Sequence, residues 1–571
     1  MQPIHRRWLL GIALALLALP CRATIVLDLS WVDTASPQYQ RFKGFVDAAL
    51  AGNPGYGFTA TDAAWMYRLS NDARYAQLAV ATVEAQVVAA EQAIANQQRP
   101  EVAGDSYLHV GPMIGDLALT YDWCAAYTTG TQRTRWAAYA QQAVWNVWHH
   151  AQASWGGVAF PWSGWATTDP ANNYYYSFVT ATMYWGLASN DTTWLNLLAT
   201  DKLPALRDYV AGIAGGGSQE GSGYGLSHRS LFGLYRLWRD STGTDLANAN
   251  AHLTDSIRWW IHATVPTRDK VAPIGDQARV SEPVIYDYHR HLVLEARQQT
   301  LDAAARADAA WWLHRISDQD MESGFNYRHN LLPAGTDTVA PTALVYHAAG
   351  TGQLFARSGW DTAAIWLNFS AGPYLQSHAH QDQGSFTLYE GTWLAVTENI
   401  WTHSGIQQGT DTHNVLRFER NGHIVPQRDG TTSTMSVTPG AGGAVHAVAD
   451  LTPAYAGDAA VGGWQRTIDF AARKLTVSDS FTLGSGSTAT FQVNTPLQPV
   501  ISGRTAQAGP LTIRVLAPPG ATLSALDWTT RSGDDETYHR GWRLDVSGGS
   551  TGYVVEFSSS DVLFANGFDA S

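Results

Sequence analysis

Cysteine is nearly missing from this chain. Of two in 571 residues, Cys21 falls in the N-terminal leader, so the remainder, with Cys124 alone, can form no internal disulfide. Cys124 lies in the apolar run Tyr121-Asp122-Trp123-Cys124 and is expected to be buried and inert. Charge is also scarce. Charged residues make up 15%, with 36 Lys and Arg against 49 Asp and Glu, a net charge of −13. That balance argues against nucleic acid as a partner. It still admits an anionic small partner wherever a pocket is locally basic. After the leader no run of 18 apolar residues occurs, so no membrane span is expected. What remains is a chain that is 45% hydrophobic, with 24 Trp and 24 Tyr. Such a composition suits a globular protein and excludes disorder, and the length calls for two or more domains.

Residues 1–23 read as a secretion leader. His5, Arg6 and Arg7 form a charged head, Leu9 to Leu19 an apolar stretch, and Cys21-Arg22-Ala23 a small-residue cleavage site before Thr24. The expected location is periplasmic or secreted. From Pro37 to about Ile316 the rhythm is helical. Phe42, Phe45, Val46, Ala49 and Leu50 keep the i, i+3, i+4, i+7 spacing, and further helices fit 114–127, 132–150, 174–188, 194–213, 226–239, 248–263, 284–299 and 301–316. Many medium-length helices without heptad persistence predict antiparallel hairpins arranged as an arc or ring. Near 325–345 the texture changes to period-two alternation. Trp464 to Phe470 and Leu475 to Leu483 read as a hairpin. The predicted fold is α+β and multidomain. An N-terminal incomplete (α/α) toroid of helical hairpins covers 24–330. A C-terminal antiparallel β-sandwich covers 331–571, with a small terminal β subdomain from about 485.

Three stretches carry chemistry. The first is Ser377-His378-Ala379-His380-Gln381-Asp382, answered downstream by Glu398 and by Thr412-His413-Asn414. In a strand, residues i and i+2 share a face, so two imidazoles on one side suit a metal, proton transfer or both. The second is Asn172-Asn173-Tyr174-Tyr175-Tyr176, entering a helix. Asn at a helix start is ordinarily a cap, but two amides and three phenols exceed what a cap needs. The third is Gly215-Gly216-Gly217-Ser218-Gln219-Glu220-Gly221-Ser222-Gly223-Tyr224, followed by His228 and Arg229. So much glycine brings backbone close to something. Together an amide, a tyrosine and a histidine suit elimination from a uronic-acid polysaccharide. Such an enzyme neutralises the sugar carboxylate, takes the C5 proton and protonates the departing O4.

These residues resemble the heparinase II/III-like polysaccharide lyases, the group that includes oligoalginate lyases. The resemblance rests on His378-x-His380-x-Asp382, Ser385-Phe386, His413-Asn414, Arg357-Ser358-Gly359-Trp360-Asp361, Glu220-Gly221-x-Gly223-Tyr224 and Ile274-Gly275-Asp276. It implies a lyase that cleaves by β-elimination and leaves unsaturated uronate ends. Asn173 would neutralise the carboxylate, Tyr224 would be the acid or base, and His378 a second catalytic group. Asn172, Tyr174, Arg229 and Arg357 are candidates for holding substrate, and Arg279 and Arg290 are further candidates to line a cleft. His380, His413 and Glu398 would bind a structural zinc, Glu398 standing where relatives commonly have Asp. Tyr174 replaces a histidine common in relatives, which puts the proton chemistry on Tyr224. His378 is expected to face the cleft and His380 to turn toward the metal, with a twist at Ala379. No cluster of Arg or Lys suggests a sulfate clamp, so an unsulfated polyuronate is favoured. Two alternatives stay open: a glycoside hydrolase using two of Asp169, Glu220 and Asp276, and a non-catalytic acidic-glycan-binding protein.

Overall fold

The computed structural model describes residues 24–276, 283–316, 327–336, 339–401, 408–471, 473–531 and 538–559. Residues 1–23, expected as a leader, the tail from 560 onward and Arg279 lie outside them. The helices are α1 (Pro37–Leu50), α2 (Ala60–Ser70), α3 (Ala73–Ala95), α4 (Val110–Trp123), α5 (Gly130–Trp148), α6 (Asn173–Ser189), α7 (Thr192–Leu197), α8 (Leu203–Ala211), α9 (Gly225–Thr242), α10 (His252–Ala263), α11 (Asp287–Gln299) and α12 (Ala303–Leu313). Helix α2 escapes a periodicity search because it is apolar nearly all round, with Ala63, Ala64, Trp65 and Met66 buried in sequence. Its cap is the legible signal: the Asp62 carboxylate accepts the Thr59 backbone N–H at 3.0 Å. The stretch expected as one helix over 194–213 is α7 and α8 joined by a π-helical turn, Leu198–Lys202. Helix α3 is long and apolar enough to cross a membrane by length and composition, but its Tyr75, Ala79, Val83 and Val87 stripe is buried in the helical core.

The core of the toroid is a row of neighbouring helices, α2 on α4, α4 on α6, α6 on α9 and α9 on α11. Helices α4 and α6 start side by side, where Gly111 N–H donates to Ser177 Oγ at 2.8 Å. Cys124 closes α4, fully buried as expected, with burial pushing its thiol up to about 12.

All strand pairings beyond residue 340 are antiparallel. A first five-stranded sheet runs Val345–Ala348, Gln353–Arg357, Trp366–Ser370, Phe386–Glu390 and Thr392–Ala395 in spatial order. Its three inner strands are buried on both faces. Phe355, Trp366, Tyr389 and Trp393 pack into the helical core. Leu354, Leu367, Phe369 and Leu388 pack the other way, into a second core. That second core is shared with an eight-stranded and another five-stranded sheet. The expected hairpin is there as Val461–Ala471 and Lys474–Leu483, in register from Phe470 opposite Leu475. Among the described residues, strands beyond 485 pair with strands before it. Ser487–Thr495 pairs with Leu416–Arg420, and Gly552–Ser559 pairs with Lys474–Leu483. Later strands complete earlier sheets because their apolar faces have no other core to enter.

Candidate active site

The glycine run, expected to bring backbone close to something, forms a seam between the two domains. Gly350 N–H donates to Ala214 O at 2.7 Å and Tyr346 Oη to Gly215 O at 3.0 Å. A Cβ on Gly217 would lie 2.4 Å from the Trp259 indole. The backbone approaches protein rather than substrate. Beyond the seam, Gly221 pairs with Gly275 as an isolated bridge. Ser222 N–H donates to Ile274 O at 2.8 Å and Gly223 N–H to Asp276 O at 3.0 Å. His289 fixes this turn from below. Its Nδ1 accepts the Tyr286 N–H at 2.9 Å, so Nε2 carries the proton and donates to Ser222 O at 3.1 Å. Tyr224 is thereby fixed at the start of α9.

From the sheet side, the loop after Trp366–Ser370 carries the two histidines. They lie in a turn, not a strand; Ala379 N–H closes it on Gln376 O at 3.0 Å. His378 O accepts the Asp276 N–H at 2.8 Å, an approach so close that a Cβ on Gly275 would lie 2.9 Å from that oxygen. Both imidazoles converge on one carboxylate: His378 Nδ1 is 2.7 Å from Asp276 Oδ2, and His380 Nε2 is 2.8 Å from Asp276 Oδ1. The Tyr224 hydroxyl lies 2.9 Å from His378 Nδ1 and 3.0 Å from Nε2, the rings stacked at 4.3 Å. With Nδ1–H given to Asp276, Nε2 is the acceptor for the tyrosine hydroxyl. Burial works to raise the Asp276 carboxyl, yet hydrogen bonds and charge from His378 and His380 outweigh it and hold the group below its ordinary value.

Asn173 is the first residue of α6. The buried Glu220 carboxyl accepts its backbone N–H, and burial, reinforced by Asp169 and Asp276, pushes Glu220 up to about 8. Glu220 is therefore mostly protonated at neutral pH. Asn173 Oδ1 and Glu220 Oε1 are both buried with no hydrogen-bond partner among the described residues. Asn173 also lines a cavity of about 540 Å³ inside the toroid, together with Arg229.

Other expected site residues serve the fold. Asn172 is 3% exposed and caps α6, its Oδ1 accepting the Tyr174 N–H at 3.0 Å. That is the ordinary role of an N-terminal Asn. Tyr174 is half-buried and donates to Asp105 Oδ1 at 2.9 Å. Arg357 is buried at the domain seam, donating to His262 O and Thr264 O at 3.0 and 2.7 Å and stacking 3.9 Å above Trp360. Arg290 is spent on Asn330 and Leu313 O. The residues that sequence reasoning left outside the site are Asp276 and Glu220. Each stood only in a short glycine-flanked motif or as a candidate for hydrolysis. The signal available for both was an acid beside glycines at a tight turn.

The zinc expectation meets a different arrangement. Among the described residues no group of three or more His, Cys, Asp or Glu side chains is disposed to hold a metal ion. His380 Nε2 is taken by Asp276, and His413 Nδ1 by the Thr397 hydroxyl at 2.9 Å. The two rings are neighbours at 5.2 Å. Glu398 lies against Gly541 and Trp401; a Cβ on Gly541 would be 3.0 Å from Glu398 Oε2. Burial pushes its carboxyl up to about 10. His413 Nε2 and both Glu398 oxygens are buried without a hydrogen-bond partner among the described residues, but they do not join His380 in one ligand set. As arranged, these three side chains do not fit a zinc site.

No protein-family model matches the chain, and no curated protein does. Solved structures do. The chain superposes on heparinase III with a TM-score of 0.59 at 15% identity, covering 88% of this chain and 76% of that one. It superposes on heparan sulfate lyase HepC from Pedobacter heparinus with a TM-score of 0.58 at 13% identity, covering 93% and 84%. A third match is the Streptomyces coelicolor chondroitin AC lyase in complex with chondroitin sulphate, with a TM-score of 0.52, 12% identity, and 93% and 81% covered. The chain therefore has the heparinase-like polysaccharide lyase fold, a helical toroid followed by antiparallel β-sheets.

Proposed function

We propose that this protein is a polysaccharide lyase that cleaves a uronate-bearing polysaccharide by β-elimination. The observation that carries this reading is the contact of Tyr224 with His378, backed by Asp276. A hydroxyl from the toroid meets an imidazole from the sheet domain, and a carboxylate fixes the tautomer. In this reading Tyr224 gives its proton to His378 Nε2, and Asp276 balances the imidazolium. The phenolate takes the C5 proton. The electron pair of that C–H bond moves into the carboxylate system, stabilised by the Asn173 amide, whose backbone N–H the buried Glu220 holds. The pair then forms the C4–C5 double bond as the C4–O4 bond breaks. O4 leaves with the proton from Tyr224, and His378 restores the tyrosine. No step is assigned to a metal.

A hydrolase needs two carboxyl groups free to flank one bond. Asp276 has both oxygens engaged by histidines, Glu220 is 1% exposed, and Asp169 Oδ1 accepts the Ala171 N–H at 3.0 Å. That distribution favours elimination. The choice of an unsulfated polyuronate rests on the lack of an Arg or Lys cluster along the sequence and is part of the proposal.

The test is a panel of alginate, polyglucuronate, hyaluronan, heparan sulfate and chondroitin sulfate, read at the ultraviolet absorbance of the unsaturated product. Tyr224→Phe should lower product formation by about 10²–10⁴-fold, and Asn173→Ala by about 10²–10³-fold, both without loss of fold. Full activity in Tyr224→Phe would end the mechanism.

A further inference from the structure

The cavity beside Asn173 runs down the bore of the toroid, and both of its ends are defined. At the upper end the lining includes Asn173 and Ser227, near the starts of α6 and α9. At the lower end the segment 24–31 crosses between the C-termini of α4 and α9. On one side Ile25 N–H donates to Asp122 Oδ2, and Trp123 Nε1 donates to Ile25 O, each at 2.9 Å. On the other side Val26 N–H donates to Ser241 Oγ and Asp28 N–H to Asp240 Oδ2, each at 3.0 Å. Leu27 and Trp31 of this strap line the cavity and form its floor. Along α9 the lining runs from Ser227 to Arg236, about 14 Å at 1.5 Å per residue.

The floor is chemically specific. Arg236 lies 5.7 Å above the Trp31 ring and is 6% exposed. Its Nε and Nη2 are bonded to Glu295 at 2.9 and 2.7 Å, while Nη1 is buried with no hydrogen-bond partner among the described residues. Arg229 and Arg328 line the same wall. The carboxyls there are Glu295, Asp62, which is bonded to Arg328, and Asp116, which burial raises to about 6. A buried cationic N–H with no acceptor among the described residues, set over an indole at the strap end of the cavity, calls for an oxygen anion on a ring with an apolar face.

We propose that the toroid bore is a blind subsite that takes a terminal carboxylate-bearing sugar unit, so that the protein cuts its polymer from a chain end. This rests on the lyase reading above. A cavity of this size takes about two sugar units, and a chain whose end is seated on the strap cannot pass through.

Gly233 offers the test, because it lines the bore and a side chain added there meets nothing within 4 Å. The substrate is the polymer of the panel that wild-type protein turns over. Wild type should release only short unsaturated oligosaccharides from the first turnover, while the residual polymer shortens slowly. Gly233→Phe, checked for an unchanged melting transition, should lose at least tenfold in kcat/KM. A broad range of product lengths at early times would overturn the proposal, as would a folded Gly233→Phe with wild-type kcat/KM and products. Should Gly233→Phe not fold, the wild-type product lengths alone decide. Absence of unsaturated product from every polymer would sink the lyase reading as well; turnover with an unaltered bore variant would sink the bore alone.

Discussion

At the scale of single residues, the site is a set of groups whose protons are fixed by what lies behind them. Asp276 fixes the tautomer of His378, and Glu220 is a neutral acid under Asn173 because burial, reinforced by Asp169 and Asp276, outweighs the Asn173 N–H. The second has a consequence for stability. The ordinary carboxyl value is 4.5 and the folded value is about 8. Below 4.5 both folded and unfolded chains hold the proton. Between 4.5 and about 8 only the folded chain does, so stability falls as pH rises through that window and levels off above it. The shift is worth on the order of a few kcal/mol. Glu220→Gln cannot ionise. Thermal melts from pH 4.5 to 8.5 should show it gaining on wild type across that window, and a constant difference would show that Glu220 titrates normally. If neutrality of this group supports elimination, wild-type activity should also decline above pH 8 while Glu220→Gln stays level.

At the scale of elements, the site depends on turns more than on helices or strands. Tyr224 is aimed by the Gly221–Gly275 bridge and by His289 from α11. Gly221 has φ 108 and ψ 176, a conformation essentially confined to glycine, and a Cβ there would lie 2.5 Å from Ile274 O. Gly221→Ala should cost about 1–3 kcal/mol in denaturant unfolding. It should also depress kcat more than KM, because the displaced group is Tyr224. These turns were partly legible. The motif Glu220-Gly221-x-Gly223-Tyr224 and the Ile274-Gly275-Asp276 turn each stood out, but nothing in the chain order said that they bond to each other. Asn172 shows the opposite case. Its local role as a cap was written in the sequence, and the fold left it there.

At the scale of the whole molecule, Tyr224 from the toroid meets His378 from the sheet domain, so the seam between the two domains sets the geometry of the proposed site. Arg357 holds the seam by donating to two carbonyls at the end of α10 while stacking on Trp360. Arg357→Ala should cost about 2–4 kcal/mol in thermal or denaturant unfolding and lower product formation by loosening His378 from Tyr224. An unchanged unfolding free energy would remove Arg357 from the seam. The sequence by itself determined the order of helices then strands, because periods of 3.6 and 2 are local properties. It also determined the residue types of the site, because motif spacing is local. It singled out Asn173, Tyr224 and His378 but could not join them to Asp276 and Glu220. It also could not separate Arg357, which braces the fold, from Arg229, which lines the cavity. Those assignments depend on which backbone lies against which across about 50 to 150 residues of chain. Burial in particular, which set the protonation of Glu220 and left Arg236 Nη1 unpartnered above the strap, exists only once the toroid has closed and the sheet has docked.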